Sequence, residues 1–270
     1  AGKSTTMKII TGFLAPTEGS VTIFDQDIWR TPLAAKRLIG YLPEGAPAYG
    51  DMTAAEFLRF IAEIRGFSKQ QRSEAIDRVV AALDLETVLG KRIETLSKGF
   101  RRRVGLAQAL IHDPRVLILD EPTDGLDPNQ KHQVRELIRG LSKEKIIIIS
   151  THILEEVTAL CSRVIVIANG RLLTDATPAQ LEAHSRYHRA VTVESREPAL
   201  GEKLRMLPGV QAVEEDQVNQ RYTLIPVTGQ EILPALNQRI ASEGWAISQI
   251  HVEKGELNDV FRQLTTGEAA

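Results

Sequence analysis

Val116-Leu117-Ile118-Leu119-Asp120-Glu121-Pro122 is the most informative run in the chain. Its four leading apolar residues show no alternation, the pattern of a strand buried on both faces of a parallel sheet. Two adjacent acids follow at its carboxyl end, where open α/β sheets bind ligands. Such a pair suits phosphoryl transfer: Asp120 holds Mg²⁺, directly or through water, and Glu121 orients and polarises an attacking water. Solvated acids at a strand end are the bland alternative, and they are common.

Further pieces lie on either side of this run. Downstream, Gly125-Leu126-Asp127-Pro128 is turn chemistry, and Lys145–Ser150 is a second continuous apolar strand. It is followed by Ser150-Thr151-His152, whose imidazole either donates to a terminal phosphate or is an ordinary surface histidine. Upstream, Leu96-Ser97-Lys98-Gly99-Phe100 opens a helix. Ser97 is a good N-cap, Gly99 permits close approach of a ligand, and free N–H groups at a helix start favour phosphate. Simple capping explains the same residues. The chain opens Ala1-Gly2-Lys3-Ser4-Thr5, and Gly-Lys-Ser/Thr is the second half of a phosphate-binding loop. The first half and its feeding strand are expected before residue 1.

Between these pieces, residues 5–13 and 51–112 carry helical periodicity. Thr53 and Glu56 form a capping box, Phe57, Phe60, Ile61 and Ile64 mark one apolar face, and Ile76, Val79, Val80 and Leu83 mark another. Asn169-Gly170 between apolar runs signals a hairpin. Residues 183–189 are polar and are expected to be a linker. Beyond them the order β-α-β-β-α-β is that of a ferredoxin-like unit, followed by a last helix with Leu257, Val260, Phe261 and Leu264 on one face.

Composition narrows the classes. The 270 residues are 43% hydrophobic and 25% charged, which excludes a disordered chain. Lys+Arg is 33 against Asp+Glu 35, net −2, which gives no support to broad nucleic-acid binding. Arg101-Arg102-Arg103 is therefore expected to be a solvated helix face near phosphate. Cys161 is the one cysteine, so no intrachain disulfide forms. It is expected to be a small buried residue. Apolar runs such as Val116–Leu119 fall far short of the ~20 residues that span a bilayer, and no secretory-signal pattern is visible.

Taken in order, the pieces resemble the nucleotide-binding subunit of an ATP-binding cassette (ABC) transporter. The resemblance covers residues 1–182: Gly2-Lys3-Ser4-Thr5 is similar to the end of Walker A, Leu96–Phe100 to the ABC signature, Leu117–Glu121 to Walker B, Gly125–Asp127 to the D-loop and His152 to the switch histidine. It implies an α/β P-loop NTPase sheet with an inserted helical subdomain at 51–112, and two chains sandwiching two ATP molecules head to tail. Gly2, Lys3, Ser4 and Thr5 would bind nucleotide, with Lys3 on the β- and γ-phosphates. Ser4, Asp120 and Glu44 would serve Mg²⁺. Ser97 and Gly99 would face the γ-phosphate held by the other subunit, and Asp127 and Glu44 would also belong to the nucleotide-binding set. Glu121 and His152 would be catalytic. Departures are Glu44 in place of the usual Gln, Lys98-Gly99-Phe100 in place of Gly-Gly-Gln, and the lack of the adenine-stacking aromatic that lies upstream in the family.

Glu44 and the tail at 190–265 resemble ABC-2 type exporters, the gliding-motility type among them. The resemblance implies an ATPase peripheral to the cytoplasmic face of the plasma membrane. It would work as a homodimer on separate permease subunits, docking through residues 51–90 and the Glu44 segment, with the tail as an accessory or regulatory domain. A soluble non-transport ABC ATPase predicts a coiled-coil insertion, a second cassette or a basic arm, none of which the sequence carries. A catalytically impaired interaction module is opposed by Lys3, Asp120, Glu121 and His152.

Overall fold

Val116–Asp120 forms the middle strand of a three-stranded parallel sheet, and all five of its residues are buried. The structure, a computed structural model, describes residues 2–46 and 48–266. Ala1, the first residue of the opening motif, lies outside them. The chain packs as two units, Ala1–Leu160 and Cys161–Ala270.

The first unit begins with α1 (Lys3–Ile10), a small antiparallel pair β1 (Thr22–Ile23) and β2 (Gln26–Asp27), and α2 (Pro32–Arg37). Strand β3 (Ile39–Leu42) leads to the helical insertion: α3 (Ala54–Ile64), α4 (Lys69–Ala82), two short 3₁₀ turns, and α5 (Lys98–Leu110). Then come β4 (Val116–Asp120), α6 (Pro128–Leu141), β5 (Ile146–Ser150) and α7 (Leu154–Leu160). The sheet order is β3-β4-β5, with Leu42 beside Leu119 and Asp120 beside Ser150. The order places the carboxyl ends of β4 and β5 side by side. Capping boxes fix the starts of α3 (Thr53 with Glu56) and α4 (Ser68 with Gln71). Helix α5 lies so close to β3 that a Cβ on Gly40 would sit 2.1 Å from the Ala109 carbonyl oxygen, so glycine is required there.

Several expectations are corrected. The first helix ends at Ile10, and Phe13 and Leu14 are exposed. Helix α3 buries Ala54, Phe57, Leu58 and Ala62, while Ile64 is 66% exposed, because the inward stripe turns onto Leu58 and Ala62. Strand β5, on the border of the sheet, is parallel but only half covered, with Ile146 53% exposed. Arg102 and Arg103 are buried rather than solvated. Arg103 reaches the Leu83 carbonyl, lies 3.6 Å from Asp84 and stacks on Phe100. Cys161 is only partly buried.

The second unit opens with the hairpin β6 (Val164–Ala168) and β7 (Arg171–Ala176), turning at Asn169-Gly170, and α8 (Pro178–Glu182). Residues 183–189 are tied down inside this unit: Ser185 is buried and donates to Asp259, and Arg186 pairs with Glu214. Next come β8 (Val191–Ser195), α9 (Leu200–Arg205), β9 (Val210–Asp216), β10 (Arg221–Pro226), α10 (Leu233–Glu243), β11 (Ile247–Val252) and α11 (Leu257–Thr266). The sheet order β11-β8-β10-β9, antiparallel throughout, is that of the ferredoxin-like β-α-β-β-α-β unit. Its core packs Val191, Val193, Leu200, Leu204, Leu224, Leu236 and Trp245. In α11 Leu257 and Val260 are buried and Phe261 is exposed.

Candidate functional site

Three segments meet at the carboxyl ends of β4 and β5. Glu121 leaves β4 with φ +51°, a left-handed conformation that costs a non-glycine residue about 1 kcal/mol or more. Its N–H donates to the Ser150 carbonyl at 2.8 Å, which pins the turn to β5. The outcome is a carboxylate held next to the loop after β5: Glu121 Oε2 lies 2.8 Å from His152 Nδ1. Gly2, with φ +100°, starts α1, and Lys3 Nζ donates to the Thr151 carbonyl at 3.0 Å and lies 3.9 Å from Glu121 Oε1. A cation, a carboxylate and an imidazole from three separate segments thus converge, with Ser4 and Thr5 in the first turn of α1.

Asp120 is 2% exposed, and its Oδ1 has no hydrogen-bond partner; the Ser150 hydroxyl beside it is also buried and unpartnered. Buried polar atoms without partners are uncommon. An unpartnered carboxylate oxygen at the mouth of the site fits a hard cation. Mg²⁺ is held by one or two carboxylates together with substrate phosphates and water. Among the described residues no group of three or more His, Cys, Asp or Glu forms a self-sufficient metal cage. The buried, unpartnered Asp120 oxygen fits that mode.

Glu44 sits exposed in the turn after β3. Its field, with that of Asp120, adds to burial in pushing the Tyr41 phenol up. Arg102 of α5, unremarked within its basic triplet in the sequence, is buried with an unpartnered Nε. Burial lowers its pKa, opposed by the charges of Asp124, Glu121, Asp120 and Glu44. The acids of the site therefore have a buried cation behind them. No signal separates Arg102 from its neighbours in the sequence; only the fold does.

Ser97 caps α5, accepting from the Phe100 N–H at 3.3 Å. Gly99 packs against Gln130 of α6. Asp127 caps α6 through the Gln130 N–H at 3.0 Å, and Pro128 follows at the first helical position. Among the described residues no hydrogen bond or ion pair joins Ser97, Gly99 or Asp127 to Lys3. The structure brings Lys3, Glu121 and His152 together and leaves the α5 start outside that cluster.

A family model described as ABC transporter matches residues 1–124. An ABC transporter ATP-binding protein of Synechocystis is 35% identical over 98% of this chain and 72% of its own length. The chain belongs to the ABC transporter ATP-binding proteins. The Nod factor export ATP-binding protein I of Paraburkholderia xenovorans is 31% identical, covering 98% of the chain and 84% of that protein. A solved ATP-binding subunit of an ABC transporter superposes with a TM-score of 0.62 at 30% identity, over 67% of this chain and 76% of that one. The ABC membership carries the function class: an ATP-binding, ATP-hydrolysing subunit of a membrane transporter, built on the P-loop NTPase fold. Among the described residues no helix is long and apolar enough to cross a membrane.

Proposed function

We propose that this ABC subunit powers an ABC-2 type exporter, and that the Lys3, Glu121 and His152 cluster is its hydrolytic centre. The observation that carries the reading is the convergence of these side chains at the ends of two paired strands. Lys3, at a helix start whose N–H groups favour anions, neutralises the β- and γ-phosphates of ATP. Glu121 orients a water for attack on the γ-phosphorus. The new P–O bond forms as the bond to the bridging oxygen of ADP breaks, and Glu121 accepts the water's proton. His152, 65% exposed, turns from Glu121 to donate to the γ-phosphate. Ser4, Asp120 and Glu44 would hold Mg²⁺, which would supply charge neutralisation on the phosphates.

Two copies complete the site, with ATP between the Lys3 turn of one and the Ser97-capped start of α5 in the other. Both are helix N-termini suited to one anion from opposite sides, and the separation of Ser97 from Lys3 within one chain supports a partner's α5 filling the gap. Permease subunits dock on the α3–α4 region and the Glu44 segment, which places the protein at the cytoplasmic face of the plasma membrane. Export follows the likeness to the Nod factor export protein. The C-terminal ferredoxin-like segment, 190–265, serves as an accessory or regulatory domain.

The test is steady-state hydrolysis by the protein expressed from its complete reading frame. Glu121→Gln is expected to lower turnover at least about a hundredfold with ATP binding retained; parental turnover in that variant would overturn the assignment.

A further inference from the structure

Glu156 of α7 is 1% exposed, the most buried carboxylate in a region that none of the roles above uses. Both its oxygens are engaged. The Thr123 hydroxyl donates to Oε1, the Thr151 hydroxyl donates to Oε2 at 3.0 Å, and Arg135 Nη2 of α6 lies 3.8 Å from Oε1. The two threonines belong to different loops. Thr123 is buried two residues after Glu121, and Thr151 immediately precedes His152. Thr151 also uses its carbonyl to receive Lys3 Nζ and its hydroxyl to receive the Ile153 N–H, both at 3.0 Å.

A buried carboxylate is costly unless it is paired and hydrogen-bonded. Here the pairing joins the β4 exit to the β5 exit through one side chain. A hydrophobic residue would fill the same space but leave the two loops without the tie between Thr123 and Thr151, joined still by the Glu121 N–H to Ser150 carbonyl bond and by the Glu121–His152 pair itself. From this arrangement we infer that Glu156 is a positioning residue: a clamp that fixes the spacing of the two loops that carry Glu121 and His152 by holding Thr123 and Thr151 to one side chain. Arg135 balances the clamp's charge and anchors it to α6. Positioning within fractions of an ångström carries a large part of the rate when chemistry consists of orienting water and phosphate. The inference rests on the reading of Glu121 and His152 as the hydrolytic pair.

Glu156→Gln keeps the shape but replaces one acceptor oxygen with an amide donor and removes the charge that faces Arg135, so one threonine hydroxyl loses its acceptor and its loop is held less firmly. Measured on the protein from its complete reading frame, kcat is expected to fall about tenfold or more with KM for ATP changed less than about threefold. In a His152→Ala background, under single-turnover conditions, the same substitution is expected to cost little further, because the clamp and the imidazole act as one unit. Thr123→Val cuts one arm with little change of volume and carries the same expectations if Glu156→Gln fails to fold. A kcat within twofold of the parent, a KM that rises in step with the fall in kcat, or full multiplication of the losses in the His152→Ala background would each overturn the clamp. A Glu121→Gln control that keeps turnover would instead overturn the underlying reading of the site.

Discussion

At the residue scale, Glu121 is the member of the proposed site held from the most directions. Glu121 is held in a left-handed backbone conformation by its own N–H bond to β5, and its carboxylate is shared between Lys3 and His152. His112, just after α5, shows the opposite use of burial. Its Nε2 meets the Ile39 carbonyl at 2.9 Å, and desolvation first, then the Arg65 charge, lowers its pKa to about 4. It is therefore neutral in the fold where the unfolded chain takes up a proton, between pH 6.5 and 4, so the stability it contributes is present above 6.5 and is lost as pH falls through that window. Between pH 7 and 5 this one group is expected to cost about 2 kcal/mol. Urea unfolding of the parent and of His112→Gln at both pH values checks it: the variant's loss should be smaller by that amount, and equal losses would contradict the assignment. The sequence singles out Lys3, Asp120, Glu121 and His152 as candidates, because strand-end acids and helix-start motifs have local signatures, and the structure brings Lys3, Glu121 and His152 together. The sequence does not single out Glu156 or Arg102, whose meaning comes only from burial and from partners contributed by other elements.

At the element scale, local rules succeeded where both flanks of an element have capping or turn chemistry. The Thr53–Glu56 box and the Asn169-Gly170 turn appear as expected. They failed where tertiary cover decides burial. Continuous apolar runs look alike in sequence, yet β4 is wholly buried and β5, on the border of the sheet, is half open. Periodicity likewise placed Ile64 on the inward face of α3, whereas the structure turns Leu58 and Ala62 inward and leaves Ile64 and Arg59 outside. That outer face is the one proposed for permease docking. Glu63 on it is already paired with Arg72 of α4, so Arg59 is the cleaner probe. Arg59→Glu is expected to lower recovery of the protein with its permease several-fold while leaving the melting temperature within about 2 °C, since exposed charges contribute little to stability. Undiminished recovery would remove this face from the docking surface.

At the scale of the whole molecule, the chain pairs a nucleotide-handling unit with a ferredoxin-like sheet that has its own apolar core. The β6–β7 hairpin and α8 pack with the second unit, and Ser185 and Arg186 are bound into it, so the polar stretch 183–189 is structured rather than a loose tether. Its polarity alone could not reveal this, because hydrogen bonds to Asp259 and Glu214 satisfy the same side chains that water would. The account as a whole depends on the head-to-tail clamp, in which the start of α5 in one copy closes on nucleotide held by Lys3 in the other. The molar mass in solution of the Glu121→Gln protein, expressed from its complete reading frame and saturated with MgATP, tests that most directly. The account predicts twice the chain mass with ATP and a single chain without it, whereas one chain mass under both conditions would contradict it.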